Sequence, residues 1–441
     1  MKSIVKQALT ALSAIVFTLP SFAQDSIYKM SLQDVLQLAK QKNRQISISQ
    51  TEEDAVSAEL KDAKISKLPY VGINGSYQRF SKVTLYDGGL SDGHSITRPP
   101  TANSAALGME SSVTIFAGGR QNAAIREQQI RKDLASLNTL DLSGNIYLQA
   151  ISAYLNIIRL TEQDTVITEQ IRRAETRVKN IDALFRNQRV TRSDLLRAQL
   201  ILDNQKLSRE QNENDLAIAV SRLSVLLDLP EHTQIIPTDS VSGEKPAPAS
   251  LTDFVTNARQ TSYAVLRTQQ QQKLLENRIK AIRGAYLPTL QAFSAYGVNY
   301  PNNLMFPPKD QAFSVGFIGI RAQYAISSIY HNKDKERAAK IRLSALQTQE
   351  SVIRDDANQE ANALHIKYNE SLHRITVAES SIAQASANYK IVSAKYFNQL
   401  ALLTDLLDAD NLYLESKYNL IRSQTDALAF YYRLLYTTGK L

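Results

Sequence analysis

Five histidines, a pair of aspartates one helical turn apart and one glycine pair are the residues of this 441-residue chain whose types could carry chemistry. His94, His232, His331, His365 and His373 sit in no HExxH motif and beside no carboxylate at ligand spacing, so they read as solvated or structural. With no cysteine, a disulfide framework, a thiolate metal site, a cysteine nucleophile and a lipid anchor on an N-terminal cysteine are all excluded. No GxxxxGKS/T, GxGxxG or GxSxG occurs, so phosphate cradles and hydrolase elbows have no support. Gly118-Gly119-Arg120 follows a strand-like segment but lacks the lysine and the spacing, and a strand-to-helix corner explains it. Asp405 and Asp408, at i and i+3, share one helix face. Two readings stand: acids enriched in a first helical turn by its dipole, with Asp410 nearby as a third, or a ring of charge if copies assemble around a pore. No catalytic residue, metal site or cofactor is expected.

The elements that must position these residues follow from composition. Hydrophobic residues make up 43% and charged residues 21%, enough to build a core. The length suggests about three globular domains or one elongated architecture, and only 15 glycines and 12 prolines leave room for very long helices. Lys2 and Lys6, the apolar run Ala8 to Leu19 and Ser21-Phe22-Ala23 before Gln24 make residues 1–23 an expected signal peptide; the run is too short for a spanning helix. Its removal leaves 49 basic against 43 acidic residues, a mild +6 that implies no nucleic-acid partner. No other uncharged apolar stretch of spanning length exists, so an exported chain that enters a membrane does so as a β-barrel.

The chain is written twice. Ser31-Leu32-Gln33-Asp34 returns as Ser250-Leu251-Thr252-Asp253, and the same offset of 219 pairs Leu68-Pro69 with Leu287-Pro288 and Tyr77 with Tyr296. Beyond that, Asn187-Gln188 matches Asn398-Gln399, and Asp194-Leu195-Leu196 matches Asp405-Leu406-Leu407, at an offset of 211. The slip of 8 falls in Ser81 to Gly108, rich in glycine and proline, which reads as a long loop. The expected organisation is a first repeat at 24–227, a proline-bearing linker at 228–249 and a second repeat at 250–441.

Each repeat has the same grammar. A helix from Ser31 to about Lys67 stops at Pro69, and Val71, Ile73 and Tyr77 then alternate with polar residues as in a strand. Val113 and Ile115 alternate after the loop. Leu290, Ala292, Tyr296 and Val298, then Phe313, Val315 and Phe317, repeat this after Pro288, with the alternation weakening at Ile318 and Ile320. Barrel strands and soluble hairpins packed on helices share this period; the export signal favours the barrel. Arg120 to about Phe185 and Tyr330 to Phe397 read as helices of roughly 100 Å at 1.5 Å per residue. Return helices span Ser193 to Leu227 and Thr404 to Leu435. Leu407, Leu414, Ile421 and Leu428, seven apart, form a coiled-coil seam that a solid coil and a hollow bundle share.

The signal peptide, the tandem halves, helix then Leu-Pro then strand, Ile115-Phe116-Ala117-Gly118-Gly119-Arg120 and Asp405-Leu406-Leu407-Asp408-Ala409 together resemble the TolC-like outer-membrane efflux proteins. The resemblance implies a mainly α fold with a transmembrane β-barrel: a long α-helical hairpin tunnel and four barrel strands per chain, three chains closing a twelve-stranded barrel. Four strands cannot close even the smallest membrane barrel, so barrel strands here would force oligomerisation. It also implies that Asn187, Gln188, Val190, Thr191, Asn398, Gln399 and Leu402 lie at periplasmic tips that contact an adaptor. Gln188 and Gln399 stand where the family often has glycine, and the preceding Asn187 and Asn398 are expected to accommodate the left-handed turn. Tyr396, Asp405 and Asp408 fall at gating and aperture positions, and Ala401 where the family carries an arginine. The partners implied are a homotrimer, a periplasmic adaptor protein, an inner-membrane transporter and outer-membrane lipid.

The leading expectation is a passive exit duct in the outer membrane, extending into the periplasm, of a tripartite efflux or type I secretion system, and not an enzyme. A structural coiled-coil envelope protein without transport activity would keep the helices and repeats. A periplasmic adaptor would need more β-rich sequence than two short hairpins.

Overall fold

The computed structural model describes residues 27–97, 100–230, 233–240 and 258–441. The expected signal peptide with Gln24, His232, most of the linker and Ser250 to Asp253 lie outside the described residues.

In chain order the elements are β1 (Ile27–Met30), α1 (Leu32–Lys42), α2 (Arg44–Ile65), β2 (Tyr70–Arg79), β3 (Val83–Tyr86), β4 (Gly93–Ile96), β5 (Asn103–Phe116), α3 (Arg120–Arg186), α4 (Arg192–Leu226) and β6 (Gln234–Pro237). They continue as α5 (Tyr263–Gly284), β7 (Thr289–Tyr300), β8 (Phe313–Gln323), α6 (Ser328–Phe397) and α7 (Leu403–Thr437). The long helices arise as expected from stretches nearly free of glycine and proline: α3 runs for 67 residues and α6 for 70. No helix among the described residues is long and apolar enough to cross a membrane.

The single N-terminal helix expected from Ser31 to Lys67 is two. Asn43 sits extended at φ −65° and ψ 122°, where its Oδ1 accepts from the backbone N–H groups of Gln45 and Ile46 at 3.0 and 3.2 Å, and its Nδ2 donates to the Leu226 carbonyl at 2.9 Å. One side chain thus ends α1, caps α2 and ties both to the end of α4.

The described residues fall into two compact units, one drawn from 1–47, 141–259 and 357–441, the other from 48–140 and 260–356. In the first, Val35 and Ala39 of α1 bury against Ile151, Tyr154 and Ile158 of α3 and Leu223 of α4. A parallel ladder of β1 with β6 extends this core, pairing Ile27 with Gln234 and Met30 with Pro237. Nothing in the strand alternation had indicated this ladder. Buried Tyr154 fixes it by donating to the Met30 carbonyl at 2.7 Å, while the Asp239 carboxylate accepts from the Leu32 N–H at 2.6 Å.

The second unit holds an antiparallel sheet in the order β2-β5-β7-β8. Pro69 and Pro288 immediately precede its first strand in each half, as expected. The long loop of 81–108 is less loop-like than its composition implies: β5 begins at Asn103, and β3 and β4 form a separate hairpin. Register places Val71, Ile73 and Tyr77 of β2 on one face with Leu107, Met109 and Val113 of β5, Tyr296 and Val298 of β7, and Ile318 and Ile320 of β8. The opposite face carries Asn74, Ser76 and Gln78, then Glu110, Ser112 and Thr114, then Gln291, then Arg321. This corrects the reading of β8. Ile318 and Ile320, where alternation weakened, are its share of the apolar face. Phe317 lies on the polar one, edge-on to Phe293 at 6.0 Å, with the Arg321 guanidinium 4.9 Å from the Phe293 ring centre.

Candidate functional site

The two helix-to-helix turns, 187–191 and 398–402, are built alike. In each a Schellman motif closes the long helix: Gln188 and Arg189 donate to the Phe185 and Leu184 carbonyls at 2.8 and 2.9 Å, and Gln399 and Leu400 donate to Tyr396 and Lys395 at 2.8 Å each. The left-handed residue is Gln188 at φ 58° and Gln399 at φ 64°. The asparagines do not take it, as had been expected of them. Asn187 and Asn398 instead send their Nδ2 groups back to the Ala183 and Ala394 carbonyls at 2.8 and 2.9 Å. A glutamine with positive φ costs about 1–2 kcal/mol relative to glycine. Gln188→Gly combined with Gln399→Gly is therefore expected to raise thermal stability by a few degrees in a melting curve, and an unchanged or lower midpoint would refute the strain.

The return helices start on acids. Thr191 Oγ1 accepts from the Asp194 N–H at 3.2 Å while the Asp194 carboxylate accepts from the Thr191 N–H at 3.0 Å, a complete capping box. In the second turn the Leu402 N–H donates to Asp405 Oδ2 at 3.0 Å. Asp405 is therefore a helix-capping acid, whatever else it does. Asp405 and Asp408 are both exposed.

The turns are brought together by one apolar cluster of Ile181, Ala198, Tyr396, Leu403, Leu406 and Leu407, with Val190 half-buried against it. Of the residues expected at the tips, Asn187, Gln188, Thr191, Asn398, Gln399 and Leu402 are exposed, and Val190 is turned inward. Tyr396 is buried, its hydroxyl without a hydrogen-bond partner. Burial pushes its phenol pKa up, and the charge of Asp194 adds to this.

Directly behind lies an ionic network that sequence reading missed. Asp410 of α7 is 2% exposed and is paired with Arg177 and Arg173 of α3, the latter through Nε at 3.3 Å. Arg173 also lies between Tyr389 and Tyr413, its guanidinium carbon 5.9 and 5.3 Å from their ring centres. Lys417 donates to Glu169 at 2.6 Å, and that bond holds the Glu169 carboxyl below its ordinary range. The signal was available in the seam. Asp410 and Lys417 each stand three residues after an apolar seam position, Leu407 and Leu414, where a coiled coil places its second core residue. Among the described residues no group of three His, Asp or Glu could hold a metal ion.

The glycine corner lies in the other unit. Gly118 and Gly119 adopt φ 62° and 81°, and the Gly118 and Gly284 backbones touch, leaving no room for a Cβ on either.

Residues 35–228 match the family model described as outer membrane efflux protein. Solved structures of similar fold include the outer-membrane channel OprN, at 13% identity and a TM-score of 0.76, covering 96% of this chain and 96% of that one. They also include the outer membrane protein VceC from Vibrio cholerae, at 14%, 0.75, and 92% and 96% coverage, and the CmeC outer membrane channel of Campylobacter jejuni, at 14%, 0.75, and 96% and 90%. No curated protein matches the chain in sequence. At such identities the structural likeness is one of fold, and it runs over nearly the whole chain.

Proposed function

We propose that this chain, whose residues 35–228 match the outer membrane efflux protein family model, is an outer-membrane protein that extends into the periplasm and forms one third of a passive exit duct. The observation that carries the reading is the sheet. One face carries aliphatic and tyrosine side chains in all four strands, the other carries most of the sheet's charged and amide side chains together with Phe293 and Phe317, and β2 and β8 leave both edges open among the described residues. A lone sheet of this kind exposes two unpaired edges and an apolar surface at once. Three copies joined edge to edge form a twelve-stranded barrel, place Ile73, Met109 and Ile318 against lipid and line the lumen with Gln78, Glu110 and Arg321.

The tandem halves, 24–227 and 250–441 about the 228–249 linker, supply two like turns per chain and six per trimer. Their exposed Gln188, Gln399 and Leu402, with Leu400 76% and Leu402 70% exposed, suit docking of a periplasmic adaptor protein. An inner-membrane transporter supplies the energy. No residue of this chain is assigned a catalytic role.

Asp405 and Asp408 ring the periplasmic aperture in this reading and favour cations, with Tyr396 packed behind them. Single-channel conductance of the purified trimer in planar bilayers tests it. Cation-preferring openings are expected, with the preference falling toward unity in Asp408→Asn, which removes a charge and leaves the Asp405 cap intact. Unchanged selectivity in Asp408→Asn and in Asp405→Asn/Asp408→Asn would reject the ring. An inserted oligomer that never conducts, alone or with an adaptor, would favour a structural envelope protein instead.

A further inference from the structure

A cleft of about 280 Å³ opens beside the Asp410 network, within the same compact unit, and nothing in the duct reading uses it. Its volume is near the lower end of the ~300–1,000 Å³ typical of small-molecule sites. Arg172, Arg173, Arg177 and Asn180 line it from α3, and Tyr389, Ser393 and Phe397 from α6. Its charge is unbalanced. Arg172, Arg173, Arg177 and Lys417 gather around two carboxylates, Asp410 and Glu169, while the nearby Asp194 carboxylate caps its own helix.

Two donors are also unspent. Arg173 Nη2 is buried without a hydrogen-bond partner, and a charged group left in that condition is costly. The Arg172 side chain is exposed and acts on the Glu169 carboxylate through charge alone, with no hydrogen bond to it. A guanidinium fork of this kind matches a carboxylate bidentately. The aromatic walls, Tyr389 and the 37%-exposed Phe397, offer apolar surface to whatever carries that carboxylate.

We propose that this cleft binds a small aromatic carboxylate, its carboxylate on Arg172 within the positive field of Arg173 and Arg177 and its ring against Tyr389 and Phe397. Asn180 and Ser393 supply neutral donors at its rim. The site needs no pore, and it would operate equally in a protein that conducts nothing.

The test is a fluorine NMR titration of the detergent-purified full chain in its native oligomeric state with 4-fluorobenzoate. A saturable shift is expected, absent with fluorobenzene and partly reversed by inorganic phosphate, which shares the anionic oxygens but not the ring. Arg172→Gln should weaken binding by roughly tenfold or more without lowering the melting temperature, because this arginine stands outside the buried ion pairs. Arg172→Lys, which keeps the charge but not the fork, should fall between. A linear, unsaturable shift, equal affinity for fluorobenzene, or unchanged affinity in both Arg172→Gln and Asn180→Leu would overturn the proposal. So would failure to bind because a neighbouring copy's carboxylate already fills the cleft, which competition by phosphate would leave undisturbed.

Discussion

Gly284→Val is expected to yield almost no folded protein, and Gly118→Ala nearly as little. A Cβ on Gly284 would lie 2.4 Å from the Gly118 carbonyl oxygen, and one on Gly118 only 2.1 Å from the Gly284 oxygen. The obstructing atoms are backbone, so no rotamer change relieves them. Moving either chain apart would have to bend β5 or β7, which pair from Ala105 to Phe116 with one register irregularity between Thr114 and Phe116. Overpacking ordinarily costs about 1–3 kcal/mol. Here the usual relief is missing, and Gly118 adds the left-handed φ of 62°, worth about 1–2 kcal/mol to any side chain. Gly119 is the internal control. It has φ 81° but nothing within 4 Å of its Cβ position, so Gly119→Ala bears only the conformational cost. The yield of heat-modifiable, membrane-inserted protein on gels measures the difference. Equal yields for the Gly118 and Gly119 variants would show that the close approach does not matter.

Asp410→Ala ranks second. It strands Arg177, 4% exposed, and Arg173 beside it, and removing one partner of a buried ion pair costs about 3–5 kcal/mol. The loss concentrates where α7 meets α3, so hydrogen exchange should accelerate in residues 403–417 before it does elsewhere. Asp410→Leu combined with Arg177→Met removes Asp410 and the more deeply buried of its two arginines, leaving Arg173 to Glu169 at 4.0 Å. This pair should recover much of the stability lost by Asp410→Ala, because apolar replacements of a buried pair are often neutral or better. A melting temperature as low as that of Asp410→Ala would mean that the pair does more than neutralise itself, and a melting temperature unchanged in Asp410→Ala would mean that water reaches the arginines.

The contrast between what the residue order revealed and what it concealed is one of range. The long helices were legible because their cause is local: α6 has neither proline nor glycine, and α3 has no proline and only Gly144. The turns at Gln188 and Gln399 were located through duplication, but which residue turns left-handed was not, since asparagine has the better intrinsic tolerance and glutamine sits at the position that the Schellman bonds require. The break at Asn43 depends on a carbonyl, Leu226, that comes near only after α4 has packed. Asp410 belongs to the same class. Beside Asp405 and Asp408 it looked like a third solvated acid, and only the arrival of Arg173 and Arg177, more than 230 residues earlier in the chain, makes it a buried one. For β8, period two identified a strand but could not choose between its faces. Pairing with Tyr296 and Ser294 made that choice. The family resemblance rested on the order of elements, which is why it survived these local corrections.

The β1–β6 ladder also sets a timetable. A chain made and exported from its N-terminus delivers Ile27 to Met30 long before Gln234 to Pro237, and the Leu32–Asp239 bond spans 207 residues. Until that distance has emerged, the first strand has an open edge and no partner, and α1 lacks the anchor that holds it on α3. Maturation therefore cannot follow the sequence in order: the earliest segment waits for residues just beyond the middle of the chain. A polypeptide interrupted before Gln234 would leave an apolar strand exposed for proteases and chaperones to find. The short ladder works as a completion mark, joined only when enough of the chain has been made.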